Sequence, residues 1–290
     1  MRASSRCAVL TAALLCILIS TASARTTTGD QEQLPAPRLD VVFVIDATGS
    51  MSDEIDVVKK QLIGIAERLA SSSPTPDIRF GMVAYRDLSD DDLIEMHPLT
   101  RDVQSVHQSI MMLQASGGGD WEEHVGRGLH EALAMGWDDA DRTTRLIYLV
   151  GDAPAHTDYQ DEYSLEKALG LAVEKGVLVN VIACSGIDSG RGQFERIAQR
   201  TDGVFESLTY HAVVKDEATG QERSVIYADG EYYEADEVLD EQEWKKGADT
   251  LAKGKKVRKS ADTKLKRSMS SAKVDNNLDG MLEESIKTNF

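Results

Sequence analysis

The chain has 290 residues, of which 41% are hydrophobic and 28% charged, and its formal net charge is −17. This length allows one domain of ordinary size and an appendage. Such an acidic chain repels the phosphates of nucleic acids and of anionic membranes, so nucleic acid is excluded as an expected partner and membrane insertion is not expected.

The first residues predict export. Arg2 and Arg6 precede the apolar run 7–19, and residues 22–24 are small, as a cleavage site requires. We interpret residues 1–24 as a secretory signal peptide rather than a membrane anchor, because the apolar core is too short to span a bilayer. The expected location is therefore extracellular, or periplasmic if the chain is bacterial.

Removal of the signal peptide would leave Cys184 as the sole cysteine. The exported chain could then form no intramolecular disulfide and would depend on its core for stability. Cys184 follows an apolar strand and is interpreted as a buried thiol rather than a catalytic one. Residues 25–38, with several threonines and two prolines, predict an extended linker.

Strands and helices alternate after the linker. The apolar run 39–45 predicts a first strand, and a stripe of apolar residues from Ile55 to Leu69 predicts a helix that begins near Ser52, with Ser52 as its cap. Further strands are predicted at 78–85, 93–99 (an antiparallel edge), 146–150, 177–183 and 204–205, and further helices at 103–113, 125–133 and 165–172. This alternation predicts an α/β sheet.

Two of the predicted strands run into aspartates. Asp46, Thr48 and Ser50 follow the first strand, and Asp152 follows the strand 146–150. Oxygen ligands at positions i, i+2 and i+4 suit a small hard cation such as Mg²⁺. A helix-capping turn would explain any one of the first three residues, but it would not explain why a second strand also leads to an aspartate. The pattern therefore predicts one metal site at the carboxyl ends of neighbouring strands.

These residues resemble the von Willebrand factor A domain, whose metal-ion-dependent adhesion site reads D-x-S/T-x-S followed by a distant Thr or Asp and a distant Asp. Asp46, Thr48 and Ser50 fill the first part and Asp152 the last. The resemblance covers residues 39–208. It implies a doubly wound, mostly parallel, six-stranded sheet with helices on both faces, and a bound Mg²⁺, Mn²⁺ or Ca²⁺.

The middle position of the motif has two candidates. The usual Thr is replaced by the loop 117–123, in which three glycines precede Asp120, Trp121 and Glu122. The glycines would let the backbone approach the ion, and we place Asp120 there, with Glu122 as the second choice. The stretches around Asp87 and Asp120 resemble most closely the branch of the family that occurs beside alpha-kinases.

Three other residues near the motif are candidates for supporting roles. Asp53 and Glu54 lie where some integrin-type domains carry a second, adjacent cation site; the alternative is that they are acidic residues of a helix's first turn. His156 lies close to Asp152 in the sequence and could contact the site or its ligand. The alternative for His156 is a polar loop residue.

The site permits two classes of function. The first is a non-enzymatic binding module, secreted, in which a partner protein supplies a carboxylate to the metal. The second is a metal-dependent phosphohydrolase that uses Asp46, because enzymes of the haloacid dehalogenase type also place an Asp after the first strand. Those enzymes need a second Asp two residues later as general acid, and this chain has Thr48 there. We therefore favour the binding module.

The residues after the domain fall into two segments. Residues 209–235 predict a small β-meander. Residues 236–290 predict a charged, flexible tail, in which 244–267 hold ten Lys or Arg residues. The basic segment is either solvated or in contact with a polyanion or with the protein's own acidic surface.

Overall fold

The computed structural model describes ten parts of the chain, and the elements below follow from it. These are residues 38–71, 77–140, 142–159, 162–184, 186–187, 189–216, 219–228, 230–260, 269 and 272–277, apart from the side chains of Asp53, Gln61 and Asp249. The predicted signal peptide 1–24 and almost all of the linker 25–38 lie outside the described residues, and those predictions stay untested.

A six-stranded sheet forms the larger layer. Its strands are β1 (Arg38–Asp46), β2 (Asp77–Tyr85), β3 (Ile94–Thr100), β4 (Thr143–Gly151), β5 (Val177–Ala183) and β6 (Phe205–Ser207). They are arranged in the order β3-β2-β1-β4-β5-β6, and all neighbours are parallel except β2 and β3. The prediction of a mostly parallel sheet with an antiparallel edge strand is confirmed.

Five helices cover the two faces of this sheet. They are α1 (Ile55–Ala70), α2 (Val103–Met112), α3 (Val125–Leu133), α4 (Leu165–Lys175) and α5 (Arg191–Arg200). Side chains of α1 and α2 share one apolar core, while those of α3, α4 and α5 share the core on the opposite face. Helices on both faces were predicted, whereas α5 was not, because its mostly polar sequence buries only Phe194, Ile197 and Ala198.

The first helix begins later than predicted. A short 3-10 helix occupies Gly49–Asp53, and α1 follows with Glu54 at its N-cap. The prediction that Ser52 caps this helix is wrong, since Ser52 lies inside the 3-10 turn. The 3-10 turn is closed by hydrogen bonds from the Met51 amide to the Thr48 carbonyl and from the Glu54 amide to the Met51 carbonyl, at 3.2 and 2.9 Å.

The strand order reverses between β1 and β4. After β1 the chain moves outward to β2 and β3 and then returns to add β4 on the other side of β1. Ligands of open α/β sheets bind at such a switch point, beyond the carboxyl ends of the strands. Asp46 ends β1 and Asp152 directly follows β4, so both lie at this position.

A second, antiparallel sheet follows the first. It consists of β7 (Thr209–Lys215), β8 (Glu222–Ala228), β9 (Glu231–Glu234), β10 (Arg258–Ser260) and β11 (Val274–Asn276), in the order β10-β9-β8-β7-β11. The strands β7, β8 and β9 form the predicted meander. Its residues Tyr210, Ala212 and Val225 belong to the same apolar core as α1 and α2.

The structure differs from the predicted flexible tail. Residues after 236 form α6 (Glu241–Trp244), α7 (Ala248–Lys253), β10 and β11. Trp244, Leu251 and Val257 are buried in one cluster with Ile226 of β8, so the segment carries enough apolar surface to fold onto the meander. The prediction of a flexible tail was based on the high charge of the segment and did not take account of these few buried apolar residues.

The basic residues of this segment pair locally. Lys256 forms an ion pair with Glu243, Lys259 contacts Glu231 at 2.7 Å, and Arg258 contacts Asp236 at 2.6 Å. Such exposed pairs contribute little individually. Residues 261–268, 270–271 and 278–290 of the predicted tail lie outside the described residues. Among the described residues, every helix is too short or too polar to cross a membrane.

His211 gives the second sheet an expected sensitivity to acid. It lies in β7, with only 5% of the residue exposed, its Nε2 is 2.7 Å from Ser224 Oγ, and its ring stacks on Trp244. Burial lowers the pKa of His211, against the opposing charge of Asp275. The unfolded chain therefore binds the proton first, and the stability that neutral His211 contributes is present at neutral pH and lost as pH falls below about 6.5.

We expect the free energy of unfolding to fall less between pH 7.5 and pH 5.5 in His211→Gln than in the unmodified chain. Urea denaturation at several pH values measures this difference. His107→Gln, at a half-buried position on α2, serves as the control and should follow the unmodified chain. Equal pH dependence of all three proteins would show that His211 does not contribute.

Candidate metal centre

Hydrogen bonds and one close contact between hydroxyl groups join the two predicted strand-end aspartates. The Thr48 amide and hydroxyl both donate to Asp46 Oδ1, at 2.9 and 2.7 Å. Thr48 Oγ1 lies 3.0 Å from Ser50 Oγ, and the Ser50 hydroxyl donates to Asp152 Oδ1 at 2.9 Å. The structure therefore brings Asp46, Thr48, Ser50 and Asp152 together in one crevice.

A third carboxylate, that of Glu123, lies in the same crevice. The Thr48 side chain and the charge of Asp46 both act on its carboxyl group. A parallel bridge between Glu123 and Ala155 holds its backbone beside the segment that follows β4. Glu123 was not predicted as a ligand, although it directly follows Glu122 in the sequence.

Gly118 makes room for this carboxylate. Its φ of +79° is a conformation that other residues rarely adopt, and a Cβ there would lie 2.9 Å from Glu123 Oε1 and 3.3 Å from Thr48 Cβ. The Gly49 amide donates to the Gly117 carbonyl at 3.1 Å and ties this loop to the first motif. The prediction that the glycines let the backbone approach an ion stays a prediction.

Neither predicted middle ligand reaches this position. The Asp120 side chain is 65% exposed and lies 3.2 Å from His156 Nε2. Glu122 is half-buried, and among the described residues it forms no hydrogen bond with Asp46, Thr48, Ser50 or Asp152. Glu123 therefore lies in the crevice, and Asp120 and Glu122 do not. The bridge between Glu123 and Ala155 fixes which residue of the loop enters the crevice.

The three carboxyl groups share a buried, negatively charged environment. Burial and the charge of Asp152 raise the pKa of Asp46 to about 7. Burial raises the pKa of Asp152 to about 6, with Glu54 adding to the rise. Burial and the charges of Asp46 and Asp87 raise the pKa of Glu123 to about 9. Ionising all three carboxyl groups together costs free energy, because the negative charges are buried and repel one another. A bound cation would offset this cost.

The donor set fits a divalent metal ion. Asp46, Glu123 and Asp152 supply carboxylate oxygens, and Thr48 and Ser50 supply hydroxyls, which are the ligands of Mg²⁺ and Ca²⁺ and also suit Mn²⁺. Glu123 Oε2 is buried and has no hydrogen-bond partner within the described part of the chain. An unsatisfied buried oxygen of this kind needs an explanation, and a bound cation provides one.

Glu54, one of the two residues of the predicted second cation site, contacts the second sheet. Its Oε2 accepts a hydrogen bond from the Tyr210 hydroxyl at 2.9 Å, and its charge also acts on the Cys184 thiol. Glu54 therefore connects the crevice to β7, and a second cation site at Asp53 and Glu54 stays a prediction. The side chain of Asp53 lies outside the described residues. Cys184 is buried, as predicted, and burial raises the pKa of its thiol, so it is unreactive.

A family model described as the von Willebrand factor A domain matches residues 40–217. The chain belongs to this family. The match begins where predicted and extends through β7, the first strand of the second sheet. Such domains are typically metal-dependent interaction modules that often bind a divalent cation, and most are not enzymes.

Several known proteins resemble this von Willebrand factor A domain. The alpha-protein kinase vwkA of Dictyostelium discoideum is 28% identical over 123 residues, which are 42% of this chain and 19% of the kinase. The chain thus matches about a fifth of that relative's length. The predicted resemblance to the branch beside alpha-kinases is confirmed.

Two solved structures are also similar. Proximal thread matrix protein 1 of the mussel byssus is 20% identical, with a TM-score of 0.46, over 59% of this chain and 42% of that protein. The pilus adhesin SpaC of Lactobacillus rhamnosus GG is 12% identical, with the same TM-score of 0.46, over 69% of this chain and 37% of the adhesin.

Proposed function

We propose that this chain is a secreted module that binds a partner protein through a divalent cation, with Mg²⁺ as the physiological ion. Asp46, Thr48, Ser50 and Asp152 would hold the ion, together with Glu123. The ion, when bound, supplies positive charge to which a carboxylate of the partner can bind. The observation that supports this most directly is the convergence of the oxygen atoms of Asp46, Thr48, Ser50 and Asp152, in which neighbouring oxygens lie 2.7 to 3.0 Å apart.

The mouth of the crevice has features of a binding surface. Ser50 is exposed, so the cation position is accessible from outside. Trp121 is 39% exposed and Leu88 is 53% exposed, and both occur in loops that border the crevice. A side chain at Gly186 would lie 3.9 Å from both the Trp121 ring and the Asp152 carbonyl oxygen. Exposed aromatic residues of this kind are enriched at protein interfaces.

Charge supports a cation-dependent mode of binding. The chain carries a formal charge of −17, and three of its acidic residues, Asp46, Glu123 and Asp152, lie together in the crevice. A carboxylate of a partner would be repelled by this surface in the absence of a metal ion. Binding should therefore require the cation, which distinguishes it from ordinary apolar docking.

The proposal also includes export of the chain. It includes neither nucleic acid as a partner nor insertion into a membrane. They rest on the signal-peptide pattern of residues 1–24 and on the acidic composition. Cell adhesion is one biological setting for such a module. A polyanion remains a proposed contact of the basic segment 244–267.

The geometry supports a binding module better than a phosphohydrolase. Asp46 is fully buried, and its Oδ1 already accepts two hydrogen bonds from Thr48. A nucleophilic carboxylate needs a free, accessible oxygen and an acid to protonate the leaving group. Thr48 occupies the position of that acid, and its hydroxyl donates a hydrogen bond to Asp46 instead.

A peptide screen tests the proposal. We expect the immobilised full chain to select peptides that contain Asp or Glu when Mg²⁺ is present, and to release them when a chelator is added. Replacing the selected acidic residue by its amide should abolish binding, because the amide has no charge to offer to the ion.

Asp56→Asn is the matched control, since Asp56 is 83% exposed and pairs only weakly with Lys59. This variant should bind as the unmodified chain does. Selection of peptides without acidic residues, or binding that persists in chelator, would contradict the proposal. Turnover of a generic phosphate ester that depends on metal and disappears in Asp46→Asn would instead favour the enzyme.

A further inference from the structure

A second group of metal-ligating side chains lies beside the crevice. Asp87, Asp120 and His156 each direct one ligand atom toward the other two, and these atoms all lie within 4.8 Å of one another. They come from three loops, which follow β2, the glycines 117–119 and β4. None of the three residues belongs to the Asp46 centre.

The spacing of the ligand atoms suits a metal ion. His156 Nε2 lies 3.2 Å from Asp120 Oδ1 and 3.6 Å from Asp87 Oδ1. In a tetrahedral site with bonds of about 2.1 Å, neighbouring ligand atoms are about 3.4 Å apart. The remaining pair, the carboxylate oxygens of Asp87 and Asp120, lies within 4.8 Å, so the three atoms are close enough to bind one ion.

Outer contacts orient the imidazole and Asp87. His156 Nδ1 lies 2.8 Å from Asp158 Oδ1, and the His156 ring stacks on Tyr159 with centroids 3.8 Å apart. The Tyr159 hydroxyl donates to Asp87 Oδ1 at 2.7 Å. A carboxylate at Nδ1 holds a proton on that nitrogen and leaves Nε2 to face a metal, an arrangement that is common for histidine ligands.

The local charge also favours a cation. Three carboxylates, those of Asp87, Asp120 and Asp158, surround one imidazole. Asp87 is buried, and its charge also acts on Glu123 of the first centre. Even a protonated His156 could neutralise only one of these charges, so a divalent ion matches the group better.

The ligand types select a different metal from that of the first centre. Imidazole nitrogen suits Zn²⁺ and other late transition metals, whereas sites built from carboxylate, hydroxyl and water suit Mg²⁺. The Asp46 centre offers only oxygen ligands, and this group adds a nitrogen. The two sites should therefore be distinguishable by metal.

We propose that Asp87, Asp120 and His156 form a Zn²⁺ site next to the Asp46 centre, with Asp158 and Tyr159 as the residues that orient its ligands. The site uses none of Asp46, Thr48 and Ser50, so it does not depend on the proposed function. A Zn²⁺ ion there would place a second positive charge beside the surface that carries Trp121.

Calorimetric titration of the untagged full chain with Zn²⁺, in the presence of saturating Mg²⁺, tests this site. We expect one Zn²⁺ per chain. Asp120→Asn and His156→Gln should each abolish or strongly weaken binding, and Asp158→Asn should weaken it about 10- to 100-fold, as loss of an outer partner does. Asp120 is 65% exposed, so its variant should fold even if His156→Gln does not.

Two controls separate this site from the first centre. Asp46→Asn should lose Mg²⁺ binding and keep Zn²⁺ binding, and His107→Gln should keep both. Absence of Zn²⁺ binding by the unmodified chain would overturn the proposal and would leave His156 as a partner in ion pairs only. Unchanged Zn²⁺ binding in Asp120→Asn and His156→Gln, or its loss in Asp46→Asn, would also overturn it.

Discussion

Asp46→Asn should remove Mg²⁺ binding while the fold is retained. The Asn carbonyl can still accept the two hydrogen bonds from Thr48, so the turn after β1 keeps its shape. The charge that draws the cation is lost, and affinity should fall by more than the roughly 10- to 100-fold that loss of an outer partner costs. Isothermal titration with Mg²⁺ measures this, and thermal unfolding without metal checks the fold.

The metal-free Asp46→Asn protein should be at least as stable as the unmodified chain. Asp46 is buried close to Asp152, and both effects disfavour its ionised form. Functional sites often keep such groups at a cost in stability. A variant that binds Mg²⁺ normally would refute the assignment, whereas a variant that unfolds would show that Asp46 has a structural role.

Glu123→Gln should have opposite effects on metal binding and on stability. Glu123 Oε2 is buried without a partner among the described residues, and its neighbours are negatively charged. Without metal, the amide should raise the free energy of unfolding, by on the order of 1 kcal/mol. With Mg²⁺, the variant should bind more weakly, so the increase in melting temperature on adding Mg²⁺ should shrink.

Glu122→Gln is the matched control for this experiment, because Glu122 is the neighbouring residue and one of the two predicted middle ligands. It should change neither the stability nor the response to Mg²⁺. If Glu122→Gln weakened Mg²⁺ binding and Glu123→Gln did not, the loop would have a different path from the one described, and the original prediction would be restored.

Most of the larger sheet could be predicted because its strands have a clear local signal in the sequence. A parallel strand covered on both faces is a nearly continuous apolar run, and 39–45 and 146–150 have that character. The helix α5 escaped prediction because only a few of its residues are apolar and buried. The segment after residue 236 was predicted to be flexible for the same reason: its many charged residues outnumber the buried apolar residues Trp244, Leu251 and Val257.

Some residues of the candidate site could likewise be predicted from the sequence, and others could not. Asp46, Thr48 and Ser50 lie within five residues of one another. A single turn brings them together, so their proximity could be predicted from the sequence. Asp152 could be added because the carboxyl ends of adjacent parallel strands meet at one edge. The loop 117–123 offers several acidic residues, and no local rule states which of them turns inward.

By itself, the sequence determined the doubly wound sheet, the position of the candidate cation centre at its edge, and four of the side chains that meet there. Only the tertiary structure decided that Glu123 enters the crevice, that Asp120 turns to His156 and Asp87, and that Glu54 is bonded to Tyr210. The physical reason is that strand and helix periodicity are local properties, whereas the direction of a loop side chain depends on backbone contacts with distant segments, such as the bridge from Glu123 to Ala155.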